Sequence, residues 1–363
     1  MPEPWFPLPL ALAPPREKTG KLELIAPLPT FALELLETDK LRMKLGLDMA
    51  YSAFENLQNI YKGMSAGEKS GESGTLGIKY VLNSGVTKSP SEVLATGKGD
   101  CDEITRLAFL SASGLGAQNA VMVEMTWTNP KTKLFEGHSA LVLIPENPLD
   151  APLVFDFTYL HDGKQLESAD LEKGLKKFYA EDAKNPDFKI AQFGTVTEVE
   201  ASYYDKVGWQ YSTIGNWEMT ALAYEKAVGL VPDGFEYNRN LGFTYKKLKK
   251  YEKALEYYKK ASETKEGKED TETYSNIGDI YLSLKRYEEA GQTLKLALSL
   301  NPNRTLYETI GHNLATAMFK EGKRLMNEKK HDDALAHFNE ALQYLPSNED
   351  IKHMIKLLET KTR

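Results

Sequence analysis

Cysteine is almost absent from this chain: Cys101 is the only one in 363 residues. A single thiol excludes an intrachain disulfide framework and any cysteine-built zinc site. Long apolar runs are missing too. No stretch of 18 or more apolar residues occurs, so nothing reads as a membrane-spanning helix. Positive charge is not in surplus, and a formal net charge of -7 leaves no basic footprint for nucleic acid. Histidine is scarce. The four late ones, His312, His331, His337 and His353, make no pair with carboxylates at metal-ligand spacing, so they read as surface residues. No cofactor and no metal is expected. The lack of disulfides suits a reducing compartment without excluding an export one, and the compartment stays open.

Proline, by contrast, is crowded at the start. Eight of the 17 prolines fall within residues 1–30, which favours extended chain over helix. Two readings stand side by side: an arm lying across the first domain, or a chain beginning just after a removed export signal, the one that would place it outside the cytoplasm. Residues 33–62 carry Leu35, Leu41, Leu45, Met49, Ala53 and Leu57 at helical spacing. Residues 63–74 are a Gly/Ser-rich loop, either a plain exposed connection or a lid.

Cys101 sits in Gly97-Lys98-Gly99-Asp100-Cys101-Asp102-Glu103, ahead of a helical pattern through Ile104, Leu107, Ala108 and Leu110. A thiol in the first turn of a helix is favoured as thiolate by the free N–H groups and the helix dipole. The period then changes to that of strands at 120–127, 138–145 and 153–159, separated by turn residues. A nucleophilic cysteine needs a base and a group to orient that base. His138 opens the second of these strands and Asp156 lies in the third. Neighbouring antiparallel strands can set the two side by side, and the cysteine helix is expected to pack on their sheet. His161-Asp162 is a competing pair, although Asp162-Gly163 reads as a turn. Residues 166–179 are read as a short helix. Taken singly, Cys101 also reads as a small buried hydrophobe, His138 as a structural histidine and Asp156 as a turn cap.

Gly97-x-Gly99-Asp100-Cys101, the Gly114-Leu115-Gly116-Ala117 helix end and Asp156-x-Thr158 together resemble the transglutaminase-like superfamily over roughly residues 75–160. The resemblance implies a papain-like α+β core in which Cys101 attacks, His138 acts as base and then acid, and Asp156 orients the imidazole. The family often has an aromatic residue soon after the histidine; here the run is His138-Ser139-Ala140-Leu141. The Cys101 N–H is a natural oxyanion donor, with Asn83, Tyr80 and Trp127 as candidates for the second.

From about residue 200 the chain repeats itself. Tyr204-x3-Gly208-x2-Tyr211, Leu241-Gly242-x2-Tyr245 and Ile277-Gly278-x2-Tyr281 align, their glycines 34 and then 36 residues apart. Matching second halves carry Tyr224 and Ala227, then Ala254, Tyr258 and Ala261, then Ala290, Leu294 and Ala297. A fourth unit holds Gly322, Ala334, Phe338 and Ala341, set off by about ten extra residues. A last helix at 348–361 would cap the array. These positions resemble the tetratricopeptide repeat family over 201–346. That implies stacked helix pairs with a groove for a protein or peptide, lined here by Asp205, Trp209, Arg239, Phe243, Asp279 and Phe319. They do not reproduce the family's two-carboxylate clamp.

The sequence therefore predicts a Pro-rich arm (1–30), an α+β transglutaminase-like catalytic domain (31–199) and an all-α tetratricopeptide repeat solenoid with its capping helix (200–363). The expected activity is cysteine-dependent acyl transfer on an amide, as peptidase, amidase or transamidase. The alternative is a catalytically inactive scaffold serving as a protein–protein adaptor through its repeats.

Overall fold

The computed structural model describes residues 79–80, 93, 98–113, 119–128, 135–145, 149–156, 161–179 and 188–361. The Pro-rich arm, the helices read at 33–62, the loop at 63–74, Asn83, residues 114–117 and Thr158 lie outside the described residues. The chain divides into two units between Gln210 and Tyr211.

In the first unit, strand β1 (Lys79–Tyr80) pairs in parallel with β2 (Lys98–Gly99). Helix α1 (Cys101–Ser113) follows at once. Its start is a capping box. The Glu103 N–H donates to Asp100 Oδ1 at 2.9 Å, and the Asp100 N–H donates to Glu103 Oε2 at 3.0 Å. A Cβ on Gly99 would lie 3.0 Å from Ile104 Cγ1, so the missing side chain lets the strand end tuck against the helix. Ile104, Leu107, Ala108 and Ala112 are fully buried.

The main sheet contains β3 (Ala120–Thr128), β4 (Phe135–Leu143), β5 (Leu153–Asp156), β6 (His161–Gln165) and β7 (Lys189–Phe193), with α2 (Leu171–Tyr179) between the last two. The order is β6-β5-β4-β3-β7 and every neighbour is antiparallel. The second predicted strand starts at Phe135 rather than at His138, which puts the histidine inside the strand. The expected turn at Asp162-Gly163 is instead part of β6. Gly163 takes φ 65° next to a register shift opposite Val154 and Asp156; the bulge absorbs the turn-like residues without ending the strand. The helix read at 166–179 begins only at Leu171, where Asp170 Oδ1 accepts from the Lys173 N–H at 2.8 Å.

The two faces of the sheet have different partners. Glu124 and Ser139 pair across β3 and β4 and face α1. Val123, Met125, Ala140, Val142 and Val154 pack instead with Leu175 of α2 and with Phe188. Unit 1 is thus an antiparallel sheet with helices on both faces. A papain-like arrangement is a finer assignment than this geometry makes. Helix α3 (Val196–Thr213) runs straight through residue 200, where the sequence placed a boundary.

The second unit is all helix: α4 (Trp217–Leu230), α5 (Phe235–Lys247), α6 (Tyr251–Glu263), α7 (Thr271–Ser283), α8 (Tyr287–Ser299), α9 (Arg304–Asn327), α10 (His331–Tyr344) and α11 (Glu349–Lys361). Helices α5/α6, α7/α8 and α9/α10 form antiparallel pairs, and α11 packs on α10. Each pair closes on a glycine. A Cβ on Gly242 would meet the Tyr258 ring at 2.9 Å, on Gly278 the Leu294 Cγ at 2.5 Å, and on Gly322 the Phe338 ring at 2.8 Å. The turns within pairs place Lys249, Lys285 and Lys329 at φ 58°, 60° and 64°. The following N–H bonds back five residues, from Lys250 to Tyr245 O at 2.9 Å, Arg286 to Tyr281 O at 2.9 Å and Lys330 to Leu325 O at 3.0 Å. This is the Schellman closure, with lysine where glycine is usual. The ten extra residues before the fourth unit are helical and lengthen α9 to 24 residues.

Two glycine substitutions should separate packing from propensity. Gly278→Ala drives a methyl into Leu294 and is expected to cost about 1–3 kcal/mol. Gly229→Ala meets nothing within 4 Å and should stabilise by about 0.5–1 kcal/mol through helix propensity. Urea unfolding of the two variants checks both signs.

Candidate functional site

Cys101 is the first residue of α1 and is half-buried. Its Sγ lies 3.8 Å from Asp102 Oδ1. The thiolate expectation meets an opposing environment. Burial, then the Asp102 and Asp100 carboxylates, push the thiol well above the free-cysteine range, and Asp156 adds to the rise; Lys206 acts the other way. The helix start does favour negative charge, but here the first turn spends that preference on three carboxylates of its own, Asp100, Asp102 and Glu103.

His138 and Asp156 do come together. His138 Nε2 stands 2.6 Å from Asp156 Oδ2, and both side chains are buried. The register Leu141↔Phe155 and Val142↔Val154 sets Asp156 diagonal to His138 across β4 and β5, within reach of a ring on the same face. The Tyr179 hydroxyl donates to the same carboxylate oxygen at 2.7 Å, and its ring lies 5.3 Å from the imidazole. Sequence reading missed Tyr179, because a lone aromatic at a helix end carries no motif.

The cysteine helix packs on β3 and β4, as expected, and its start meets the strand position next to the imidazole. The meeting point is a strand neighbour. Ser139 Oγ donates to Asp102 Oδ1, and Thr105 Oγ1 donates to the Ser139 carbonyl at 3.3 Å. Ser139 therefore receives the start of α1 while the adjacent His138 receives Asp156.

Behind Asp102 lies a cluster of charges that sequence reading also missed. Lys206 of α3 bonds Asp102 Oδ2 and stands 3.1 Å from Glu124 Oε1. Ser202 Oγ donates to Glu124 Oε1 at 2.9 Å, and Arg106 Nη2 reaches it at 3.2 Å. Arg106 is fully buried, and its Nε and Nη1 have no hydrogen-bond partner among the described residues. Burial raises the Asp102 carboxyl, but Lys206 and Arg106 prevail and hold it well below the usual carboxylate range. Asp100 moves the opposite way: burial, Asp102 and Glu103 push it up to about 7. Only folding brings residues 102, 124 and 206 together, so no local motif announces them.

Trp127 is buried and stacks on Phe188 at 5.9 Å, which makes it a core residue on the α2 face. His161 begins β6 opposite Asp156 in backbone register, and its side chain lies outside the described residues, as does that of Tyr80. Among the described residues no group of His, Cys, Asp and Glu is arranged to hold a metal ion, and no helix is long and apolar enough to cross a membrane.

In the repeats, Arg239 and Phe243 lie on α5, Asp279 on α7 and Phe319 on α9, the first helices of their pairs. Lys246 Nζ donates to Asp279 Oδ2 at 2.9 Å and to Asn276 Oδ1 at 2.8 Å, and Asn313 Nδ2 donates to Asp279 Oδ1. One polar chain thus ties three successive first helices together.

Residues 235–303 match the family described as Tetratricopeptide repeat; these residues are tetratricopeptide repeats. No curated protein matches the chain. Solved structures similar to it include MamA, at 22% identity over 44% of this chain and 80% of that one with a TM-score of 0.35. Pseudomonas aeruginosa pilF is 22% identical over 47% and 72%, with a TM-score of 0.31. The first repeat domain of Spaghetti (RPAP3), solved with the HSP90 peptide SRMEEVD, is 22% identical over 33% and 91%, also at 0.31. TM-scores below 0.5 are under the level at which a shared fold follows.

The cap and the charge of Asp100 can be separated. Its folded value lies above its unfolded one, so its contribution to stability is full below about pH 4 and is lost as pH rises through about 7. Asp100→Asn keeps the cap and should flatten that slope. Asp100→Ala should lose about 1 kcal/mol across the range. Urea unfolding at pH 4, 6 and 8 distinguishes the two. Tyr179→Phe should cost about 1.5–3 kcal/mol by the same measurement, the range for a hydrogen bond to a charged group.

Proposed function

We propose that the chain recognises a protein or peptide through its repeats and that unit 1 is a cysteine-dependent acyl-transfer domain acting on what the repeats hold. The repeat match at 235–303 supports the first half. The 2.6 Å contact between His138 and Asp156, buried and fixed by strand register, is the observation that carries the second. A carboxylate on one imidazole nitrogen fixes the tautomer and orientation of the ring, so that the other nitrogen serves as base.

In this reading His138 takes the Cys101 proton and the sulfur attacks the amide carbonyl. The C–N bond breaks and the amine departs with the proton returned by His138, leaving a thioester. Water or a second amine then displaces the sulfur, giving hydrolysis or transamidation. The α+β papain-like core belongs to this proposal.

A second reading, an adaptor whose first unit is catalytically inactive, has its own support. The family match reaches the repeats alone, and the carboxylates around Cys101 oppose its ionisation. An electrophilic peptide-amide probe with mass spectrometry of the labelled site decides between them. Acyl transfer predicts labelling at Cys101 that falls roughly 10²–10⁴-fold in His138→Ala, and less in Asp156→Ala. Absence of labelling from pH 6 to 9 in folded protein leaves the adaptor. Recognition is checked separately by peptide selection on the full chain: binders should compete with one another and be lost in Phe243→Ala.

A further inference from the structure

We propose that Lys206 is a positioning residue for Cys101 and acts through Asp102; the inference rests on the acyl-transfer reading of unit 1. Asp102 adjoins the thiol in the chain and divides its two oxygens between elements. Oδ1 accepts from Ser139 Oγ of β4 and lies 3.8 Å from Cys101 Sγ. Oδ2 is taken by Lys206 Nζ of α3. The lysine therefore holds the carboxylate that joins the start of α1 to the strand position next to His138. It also neutralises a charge that otherwise bears directly on the sulfur.

The groups around the thiol make that neutralisation matter. Asp100, Asp102 and Glu103 lie on or beside α1. Glu124 comes from β3, His138 from β4 and Asp156 from β5, with Arg106 one turn along the helix. Of these, Asp102, Asp100 and Asp156 oppose ionisation of the thiol, and Lys206 works against them. Lys206 is held in place from the far side by Glu124, which Arg106 and Ser202 also bond. Lys206→Met keeps the volume and leaves Asp102 charged beside the sulfur without the cation that bonds it.

The test is the pH profile of iodoacetamide alkylation at Cys101 in the full chain, from pH 6 to 10, with circular dichroism as the folding control. Lys206→Met should move the inflection to higher pH and slow the reaction at pH 7 by about tenfold, as loss of a nearby opposite charge does. Lys206→Arg should restore the profile. Asp102→Asn should move the inflection down, and in that background Lys206→Met should have less effect than in wild type. An unchanged inflection in folded Lys206→Met overturns the proposal, as does an equal Lys206 effect with and without the Asp102 charge. Should Lys206→Met not fold, Asp102→Asn decides, since an inflection that fails to fall sinks the idea. Because alkylation needs no substrate, failure of the acyl-transfer reading appears separately, as absent probe labelling in a protein whose alkylation profile still responds to Lys206.

Discussion

One carboxylate pins the first unit together. Asp102 lies at the start of α1, accepts Ser139 of β4 and pairs with Lys206 of α3, so a strand and two helices meet at a single side chain. A half-buried ion pair of this kind adds little net stability, because desolvation and solvent screening offset most of the attraction. Its value is geometric. It fixes where the thiol-bearing turn stands against the strand that carries His138. Asp100 is drawn into the same place by the capping box and takes up the electrostatic strain, with a carboxyl that holds its proton far longer than usual.

The repeats solve a different problem with neutral material. Their helices close on glycines that face Tyr258, Leu294 and Phe338, so the interaxial fit is set by what is missing from one helix and supplied by the next. Between successive first helices the links are polar, through Lys246, Asp279 and Asn313. That chain links α5, α7 and α9 through side chains rather than backbone.

Legibility in the sequence followed the range of the interactions. Repeat glycines and aromatics recur at a fixed period, so helix pairs and even the final helix could be read, with Asn348 capping at the residue expected. The capping box at Asp100 to Glu103 is local, and the helix start was legible for the same reason. His138 and Asp156 share a face because of strand alternation, which a sequence carries. Which face α1 covers depends on tertiary packing and was not readable. Strands β6 and β7 were missed because one contains a bulge at Gly163 and the other is short and largely exposed. Lys206, Glu124 and Tyr179 lie far from Cys101 in the chain, and only the fold makes them neighbours.

Helix α9 carries a further consequence. At 24 residues against 13 for α7, it is about 16 Å longer at 1.5 Å per residue. Its added first half is not decoration, since Ile310 and Leu314 are fully buried. An array of equal repeats can lose or gain a unit by recombination and still stack, because each interface is interchangeable with the next. The step at α9 breaks that equivalence. The helix pair that α9 opens is therefore keyed to the one before it rather than interchangeable with it.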